Sequence, residues 1–306
     1  QAVANAAVKT AWLWATCHWW PTGGFHIDSL KQIYRLGLSV FTSSTLNTLF
    51  LHIYSFVIGA FYSLPLLGVY TQADKWSKMG SASISQVLTA SFVPLLSKVQ
   101  DSPDDFRRYM QKTNRFTAFI LFPALLGLAV VGEPLFHTLF GNKWDAAIPL
   151  FQILAARGVL VVLISLFGNY LLALGRGKLL MTIEIIKDSM VLAAILATVW
   201  SLNITFLVWG QLAASAVTFV VVLAITSRAT GYRAVNFFSD FSRYLLAAAS
   251  MIAACLLLGE LPLHAAVRLL IEIAAGASLY LLILRLSGSP ELREAATYLF
   301  GRFRRK

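Results

Sequence analysis

The stretch that decides the fold reads GVYTQADKWSKMGSASISQVLTASFVPLLSKVQ at residues 68–100 and continues as DSPDDFRRYMQKTNR at residues 101–115. Its first half is long enough to be a membrane-spanning helix, yet small and polar residues fill its centre. Such a helix is poorly suited to face lipid, because polar side chains find no partners there. We therefore expect it to face other helices or a water-filled cavity. The small and polar positions are Ser77, Gly80, Ser81, Ser83, Ser85, Gln86, Thr89 and Ser91.

Apolar residues dominate the whole chain of 306 residues. Hydrophobic residues make up 58% and charged residues 13%, and the mean hydropathy is +0.71; a soluble domain carries about 25% charged residues. The apolar runs do not alternate with the period of two that a membrane barrel requires, so we predict an all-α protein with many membrane spans. Cys17 and Cys255 lie far apart in apolar helical context, and we predict no disulfide.

Helical apolar segments recur along the chain and predict about eight full spans after a partial one. Residues 1–20 have the character of the end of an earlier span with an interfacial belt of tryptophans, and PTGG at 21–24 breaks that helix. Because the chain begins within this pattern, we expect further spans to precede it in the complete protein. The eight predicted spans, A to H, run at about 30–61, 66–97, 106–132, 144–173, 178–200, 204–227, 241–259 and 264–286.

The lysines and arginines are unevenly divided between alternate loops. Eighteen of the 25 fall in loops of one set, whereas only Lys143 and Arg268 fall in the other. Basic loops are retained in the cytoplasm, so we expect the 98–115 loop and the C-terminus to be cytoplasmic, and the net charge of +11 requires no nucleic-acid partner. The eighteen are Lys31, Arg35, Lys98, Arg107, Arg108, Lys112, Arg115, Arg176, Lys178, Arg228, Arg233, Arg243, Arg285, Arg293, Arg302, Arg304, Arg305 and Lys306.

The C-terminal residues 289–306 predict a short amphipathic helix. Ser289 is a candidate N-cap, Pro290 would occupy the first helical position, and the apolar residues that follow share one helical face. Basic residues gather beyond that face. We expect this helix to lie on the anionic cytoplasmic leaflet, which makes anionic membrane lipids a predicted partner.

One arginine lies deep within an apolar predicted span. Arg157 lies about 13 residues into predicted span D, near the midplane by helical rise, and an unpaired arginine there costs about 2.5 kcal/mol or more. Either a carboxylate on a neighbouring span pairs with it, or it binds an anionic group in a central cavity. Glu184 and Asp188 start nearer the cytoplasmic face, so we favour the cavity position for Arg157.

Further polar candidates line predicted span B and the partial first span. Lys75 and Lys78 either line the cavity or extend to the headgroups, and the face that carries Ser83 and Gln86 would hydrogen-bond a polar substrate. Lys9 is a weaker candidate for the same cavity, because the helices around it lie outside this chain.

The remaining charges within spans have a structural explanation as well as a functional one. Glu184, Lys187 and Asp188 share one helical face of span E by their spacing, which predicts an intramembrane charge cluster. Arg268 and Glu272 are four residues apart and predict a local ion pair. No spacing typical of a catalytic, metal or cofactor site is found, so we predict no enzyme active site.

Four segments resemble one known family in their order and spacing. They are LGVYTQADKW, SFVPLLSKVQD, FPALLGLAVVGEPLFHTLFGNKWDAAIPLFQIL and NYLLALGRGKLLMTIEIIKD, within residues 28–230. They resemble the polysaccharide-transport family of bacterial lipopolysaccharide and exopolysaccharide exporters, part of the multidrug/oligosaccharidyl-lipid/polysaccharide exporter superfamily. The resemblance implies a MATE-like helical transporter with two lobes that works by alternating access in the bacterial inner membrane.

The same resemblance implies a division of the chain and a substrate class. Residues 1–20 would end the N-terminal lobe, 21–29 would be a cytoplasmic linker, 30–228 the C-terminal lobe of six spans, 229–288 two extra spans and 289–306 the basic tail. The implied substrate is an oligosaccharide on polyprenyl pyrophosphate, with glycan polymerase or other assembly proteins as partners. The alternatives are a cation-coupled small-molecule exporter of the same fold and a membrane enzyme of glycan assembly.

The orientation can be tested with a single cysteine. In a background without Cys17 and Cys255, Gln111→Cys in the 98–115 loop should resist a membrane-impermeant maleimide in sealed cells and react after permeabilisation. Strong labelling before permeabilisation would reverse the predicted orientation.

Overall fold

The computed structural model describes residues 2–17, 45, 48–261, 263–294 and 297. The chain divides into two compact units, Gln1–His52 and Ile53–Lys306. The described part of the first unit contains helix α1 (Ala2–Thr16). The predicted linker 21–29 lies outside the described residues, as does most of the first half of predicted span A.

All regular structure in the described residues is helical. α2 (Thr48–Phe61) begins in the first unit and continues into the second. A 3₁₀ segment, Gly141–Ala147, joins α5 to α6, and a shorter one, Val199–Ser201, follows α7. The other helices are α3 (Leu64–Ser97), α4 (Pro103–Val130), α5 (Gly132–Phe140), α6 (Ile148–Ala173), α7 (Gly177–Thr198), α8 (Ile204–Thr230), α9 (Ala234–Leu258) and α10 (Ala265–Leu286).

Within the described residues, six segments are long and apolar enough to cross a membrane. They contain predicted spans B, C, D, F, G and H, which confirms the polytopic all-α class. The helix of span D starts at Ile148 rather than near residue 144. α7, predicted as span E, is 22 residues long but has four charged residues within it, and α2 is the described end of span A. The total of eight spans stays a prediction.

Proline, asparagine and glycine set several helix boundaries. α3, α4 and α6 each have a proline in the first two positions, where the missing N–H costs no helical hydrogen bond. Asn203 caps α8, since its side chain accepts hydrogen bonds from the backbone N–H groups of Thr205 and Phe206 at 2.9 and 3.3 Å. Gly231 ends α8 with a φ of 70°, a conformation that suits glycine.

α6 is the central helix of the second unit and packs against α3, α4 and α8. Two clusters of buried apolar side chains lie along it, one around Phe167 and the other around Phe151. Small residues allow close approach of helices in a membrane. At Gly158 an added Cβ would lie 3.2 Å from a methyl group of Leu125 and 3.4 Å from the Cβ of Ser81. α6 therefore positions the helices that carry the candidate site.

A proline in α4 explains how α10 is attached. Pro123 lies inside α4 and cannot donate the helical hydrogen bond to the carbonyl of Phe119. The hydroxyl of Tyr280 on α10 donates to that carbonyl at 3.0 Å, and Tyr280 is buried. A backbone group that the proline leaves unpaired thus becomes the docking point of another helix.

Buried polar contacts attach α9 to α4 near one end of the bundle. Arg115 of α4 donates to Asp240 of α9 at 2.9 Å, and Asp240 is only 1% exposed. Tyr232, in the connection between α8 and α9, donates its hydroxyl to the same carboxylate at 2.8 Å. Burial and then the hydrogen bond to Asp240 raise the pKa of Tyr232 above its ordinary value, so Tyr232 keeps the proton that it donates.

Ion pairs connect helices near both ends of the second unit. At one end, Lys112 of α4 forms an ion pair with Glu294 of the C-terminal segment, and the two groups are 3.0 Å apart. At the other end, Arg268 pairs with Glu272 at 2.7 Å, as predicted, and also with Glu133 of α5 at 3.1 Å. Which end faces the cytoplasm remains a prediction.

Tyr280 donates to the carbonyl that Pro123 leaves unpaired, so substitutions of Tyr280 and Pro123 should have non-additive effects on the free energy of unfolding. Tyr280→Phe should destabilise the protein by about 1 kcal/mol, because a buried carbonyl loses its partner. In a Pro123→Ala background the same change should cost less than half of that, since the alanine restores a backbone N–H that would reach the Phe119 carbonyl. Unfolding of the purified protein in mixed micelles measures both free energies.

Tyr109→Phe is the matched control for this cycle. Tyr109 lies on α4 and is 36% exposed, and its loss of a hydroxyl should cost nothing measurable in either background. Equal costs of Tyr280→Phe with and without Pro123 would contradict the proposed role of the proline.

Candidate functional site

The two faces of α3 carry different chemistry. Its buried face carries Tyr70, Asp74, Ser77 and Ser81 and packs on α6. The hydroxyl of Tyr70 also accepts a hydrogen bond from Nε2 of Gln211 on α8, at 3.1 Å. The polar residues that the sequence places in the centre of this helix are therefore partly engaged within the second unit.

The other face of α3 is exposed and rich in small and polar residues. Of the predicted cavity residues, Lys75, Ser83 and Gln86 lie on it, whereas Lys78 is half-buried. Polar groups in hydrocarbon require a protein or water partner, so this face requires a covering in the membrane. We call it the exposed stripe; it consists of Gly68, Thr71, Lys75, Met79, Ala82, Ser83, Gln86, Ala90 and Ser91.

Arg157 is half-buried in α6 and is tied to α8. Its Nε donates to the hydroxyl of Ser215 at 2.9 Å, and Ser215 is 7% exposed. Among the described residues no carboxylate forms an ion pair with Arg157. The structure thus holds the guanidinium through a neutral hydroxyl, which leaves the positive charge without a counter-charge in contact.

Polar side chains from α2, α3, α6 and α8 are linked to this arginine, or to one another, by hydrogen bonds and electrostatic interactions. The charge of Arg157 acts on the hydroxyls of Tyr54 and Tyr70, and the charge of Asp74 also acts on that of Tyr70. We call this group the intramembrane polar cluster; it comprises Tyr54, Tyr70, Asp74, Lys78, Arg157, Gln211 and Ser215.

The members of the intramembrane polar cluster lie at one depth. Asp74, Arg157 and Ser215 follow the starts of α3, α6 and α8 by about 14 to 17 Å of helical rise. Those three helices start at the same end of the bundle, and the hydrocarbon core is about 30 Å thick. In a membrane of that thickness these three residues would lie near the midplane, and the depth of Arg157 stays a prediction.

Charge within the intramembrane polar cluster is only partly balanced. Asp74 is 9% exposed and pairs with Lys78 one turn further along α3, at 2.7 Å, so these two charges offset each other. The hydroxyl of Tyr54 and Oε1 of Gln211 are buried and form no hydrogen bond with the described residues. The cluster thus combines one unbalanced cation with spare polar groups, which suits an anionic, hydroxylated ligand.

The charges predicted on α7 do not join this cluster, and the role of Lys9 stays a prediction. Lys9 is exposed on α1 in the first unit. On α7, Lys187 donates to Glu184, while Asp188 is half-buried and pairs with neither Arg157 nor any other described cation. The described residues contain no group of three His, Cys, Asp or Glu side chains arranged to hold a metal ion.

Five members of the cluster were not predicted from the sequence: Tyr54, Tyr70, Asp74, Gln211 and Ser215. Tyr70 and Asp74 are four residues apart, as are Gln211 and Ser215, and both spacings place polar groups on one helical face within apolar spans. These spacings could have been recognised in the sequence. The packing of α3 and α8 on α6 brings the two faces together, and the sequence could not reveal it because it is a tertiary feature.

The fold and site define a class of protein: a multi-pass helical membrane protein with a cluster of polar side chains between its helices. Its fold is that of a solved structure of "Lipid II flippase MurJ, inward closed conformation", with a TM-score of 0.70 at 14% identity over 86% of this chain and 56% of that one. Residues 1–149 match the family described as "Polysaccharide biosynthesis protein".

Two curated relatives cover most of the chain. The teichuronic acid biosynthesis protein TuaB of Bacillus subtilis is 27% identical over 87% of this chain and 56% of its own length. The succinoglycan biosynthesis transport protein ExoT of Rhizobium meliloti is 22% identical over 84% of this chain and 51% of its own length. The chain is similar to these polysaccharide biosynthesis and transport proteins, and it spans about half of their length.

The exposed stripe predicts water access in the complete protein. Ser83→Cys and Gln86→Cys should react with a small charged thiosulfonate reagent, because a polar face at this depth requires water or protein rather than lipid. Reaction rates are measured by mass spectrometry in proteoliposomes, in a background without Cys17 and Cys255.

Val220→Cys on α8 is the control for this experiment, since Val220 is 63% exposed and lies on an apolar face. It should react at least ten times more slowly than Ser83→Cys, roughly the ratio expected for burial in lipid. Equal rates at the three positions would show that the exposed stripe faces acyl chains.

Proposed function

We propose that the complete protein is a flippase that moves an oligosaccharide linked to polyprenyl pyrophosphate across the bacterial inner membrane. The observation that carries the proposal is Arg157, a cation at mid-depth that is held by Ser215 and has no carboxylate in contact among the described residues. A pyrophosphate and a sugar cannot cross hydrocarbon unaided. A basic, polar path through helices removes that barrier.

The roles of the residues follow from their charge and position. Arg157 binds the pyrophosphate, and Lys75 and Lys78 contribute positive charge along α3. Ser83 and Gln86 on the exposed stripe offer hydrogen bonds to sugar hydroxyls, and Lys9 adds charge if α1 lines the same path. The polyprenyl chain stays in lipid while the headgroup moves.

Alternating access would give the exposed stripe its covering in the complete protein. Transporters of this kind place the substrate site between two lobes that rock against each other. The stripe and the intramembrane polar cluster would then form one wall of the path, and a second lobe would form the other. The names of TuaB and ExoT support a role in polysaccharide biosynthesis, and we propose glycan polymerase or other assembly proteins as partners.

A cation-coupled exporter of small molecules is the second candidate, and Asp74 is the observation that favours it. A nearly buried carboxylate can bind a proton or a metal cation within a membrane. The ion pair with Lys78 weakens this alternative, because Lys78 already supplies the positive charge. Export of glycan that persists in Asp74→Asn, together with loss in Arg157→Ala, would decide for the flippase.

Arg157→Ala should abolish glycan export in the complete protein while its level in the membrane stays normal. A hydrogen-bonded charge contributes about 1.5–3 kcal/mol, which corresponds to a loss of roughly ten- to a hundredfold. Arg157→Lys should retain part of the activity, because charge matters more than fork geometry for a mobile phosphate. Surface glycan and protein level are measured in the same cells.

Two further variants distinguish substrate binding by Arg157 from the positioning of Arg157 by Ser215. Ser215→Ala removes the hydroxyl that holds Arg157 but keeps the charge, so export should fall only a fewfold. Arg176→Ala removes an exposed arginine of the α6–α7 loop and should leave export unchanged. Normal surface glycan in Arg157→Ala at equal protein level would make Arg157 a structural charge.

A further inference from the structure

We propose that the end of α10 and the residues after it form a binding site for one anionic phospholipid. Its phosphate would lie between Arg285 and Arg293, and one acyl chain would lie along α10. This inference does not rest on the flippase activity, because the site is remote in sequence from the intramembrane polar cluster and involves none of its residues.

An open cavity of about 640 Å³ lies at this place. α10 ends at Leu286, and Gly288, with a φ of 68°, turns the chain back so that Arg293 is brought beside the end of the helix. The cavity is lined by Ser278, Leu281, Leu282, Arg285, Gly288, Ser289, Leu292 and Arg293.

The charges in this cavity are of one sign. Arg285 and Arg293 are exposed and form no ion pair with a described residue. The two carboxylates of the following segment are engaged elsewhere: Glu291 accepts hydrogen bonds from Tyr244 and Ser289, and Glu294 pairs with Lys112 of α4. The neighbouring acidic residues therefore do not neutralise the two guanidinium groups.

Leucines make up the apolar part of the lining, which decides between a lipid and a soluble anion. Leu281 and Leu282 are 43% and 52% exposed on the outer face of α10, and the lining extends to Ser278, about 10 Å of helical rise from Arg285. Guanidinium groups bind phosphate through paired hydrogen bonds. Two arginines at a helix end above an apolar wall match a phosphate joined to an acyl chain.

The contacts that engage Glu291 and Glu294 also hold the lipid site in place. Tyr244 on α9 and Lys112 on α4 hold the segment that carries Arg293. Ser289 is 1% exposed, and its backbone N–H donates to the carbonyl of Leu284 on α10 at 3.0 Å. A site whose parts are held before the ligand arrives loses less entropy on binding.

Native mass spectrometry of the complete purified protein tests the proposal with dioleoyl phosphatidylglycerol and dioleoyl phosphatidylcholine as probes. The wild type should retain phosphatidylglycerol preferentially. Arg285→Gln and Arg293→Gln should each weaken its binding by roughly fivefold, the contribution of one basic residue near an anionic lipid. Phosphatidylglycerol with a photoreactive acyl chain should crosslink to residues 278–282.

The control is Arg176→Gln combined with Arg228→Gln, which removes the same charge from two exposed positions outside the cavity. This pair should retain phosphatidylglycerol and the crosslink, whereas Arg285→Gln/Arg293→Gln should lose both. Equal binding by the two double variants, or equal retention of the two lipids by the wild type, would overturn the proposal. Displacement by excess inorganic phosphate would show a free-anion site and would also overturn it.

Discussion

The structure depends on one constraint: in hydrocarbon, a polar group must find its partner within the protein or in enclosed water. The second unit meets this constraint by packing α3 and α8 on α6, so that Arg157 reaches Ser215 and Tyr70 reaches Gln211. The apolar side chains on both sides of α6 hold these helices in contact. Among the described residues of the second unit, nothing covers the exposed stripe of α3. This difference between the two faces of one helix is the basis of the proposed transport path.

The same constraint organises the two helices after α8. α9 and α10 are attached to α4 by polar contacts at several depths, including the Asp240 carboxylate and the Tyr280 hydroxyl. Near the C-terminus, the contacts of Glu291 and Glu294 extend this attachment to the segment beyond α10. These helices are thus joined to the bundle by specific hydrogen bonds rather than by apolar contact alone, and the segment beyond α10 is held with them.

Composition and spacing were sufficient to predict the all-α membrane class and most span positions. They predicted the pair of Arg268 and Glu272, because four residues of helix bring such side chains together. They could not predict that Ser215 would hold Arg157, since this contact joins residues 58 positions apart. For the same reason the sequence could not show that the polar centre of α3 is divided between a packed face and the exposed stripe.

The hydrogen bond from Tyr280 to the carbonyl that Pro123 leaves unpaired has a consequence for the register of α10. Other carbonyls of regular α4 turns are already occupied, so a shift of α10 by one turn, about 5.4 Å, would take the Tyr280 hydroxyl away from an available acceptor. Apolar contacts between two helices tolerate such a slide, because one leucine replaces another. The carbonyl that Pro123 leaves unpaired in α4 therefore fixes the position of α10 along the bilayer normal.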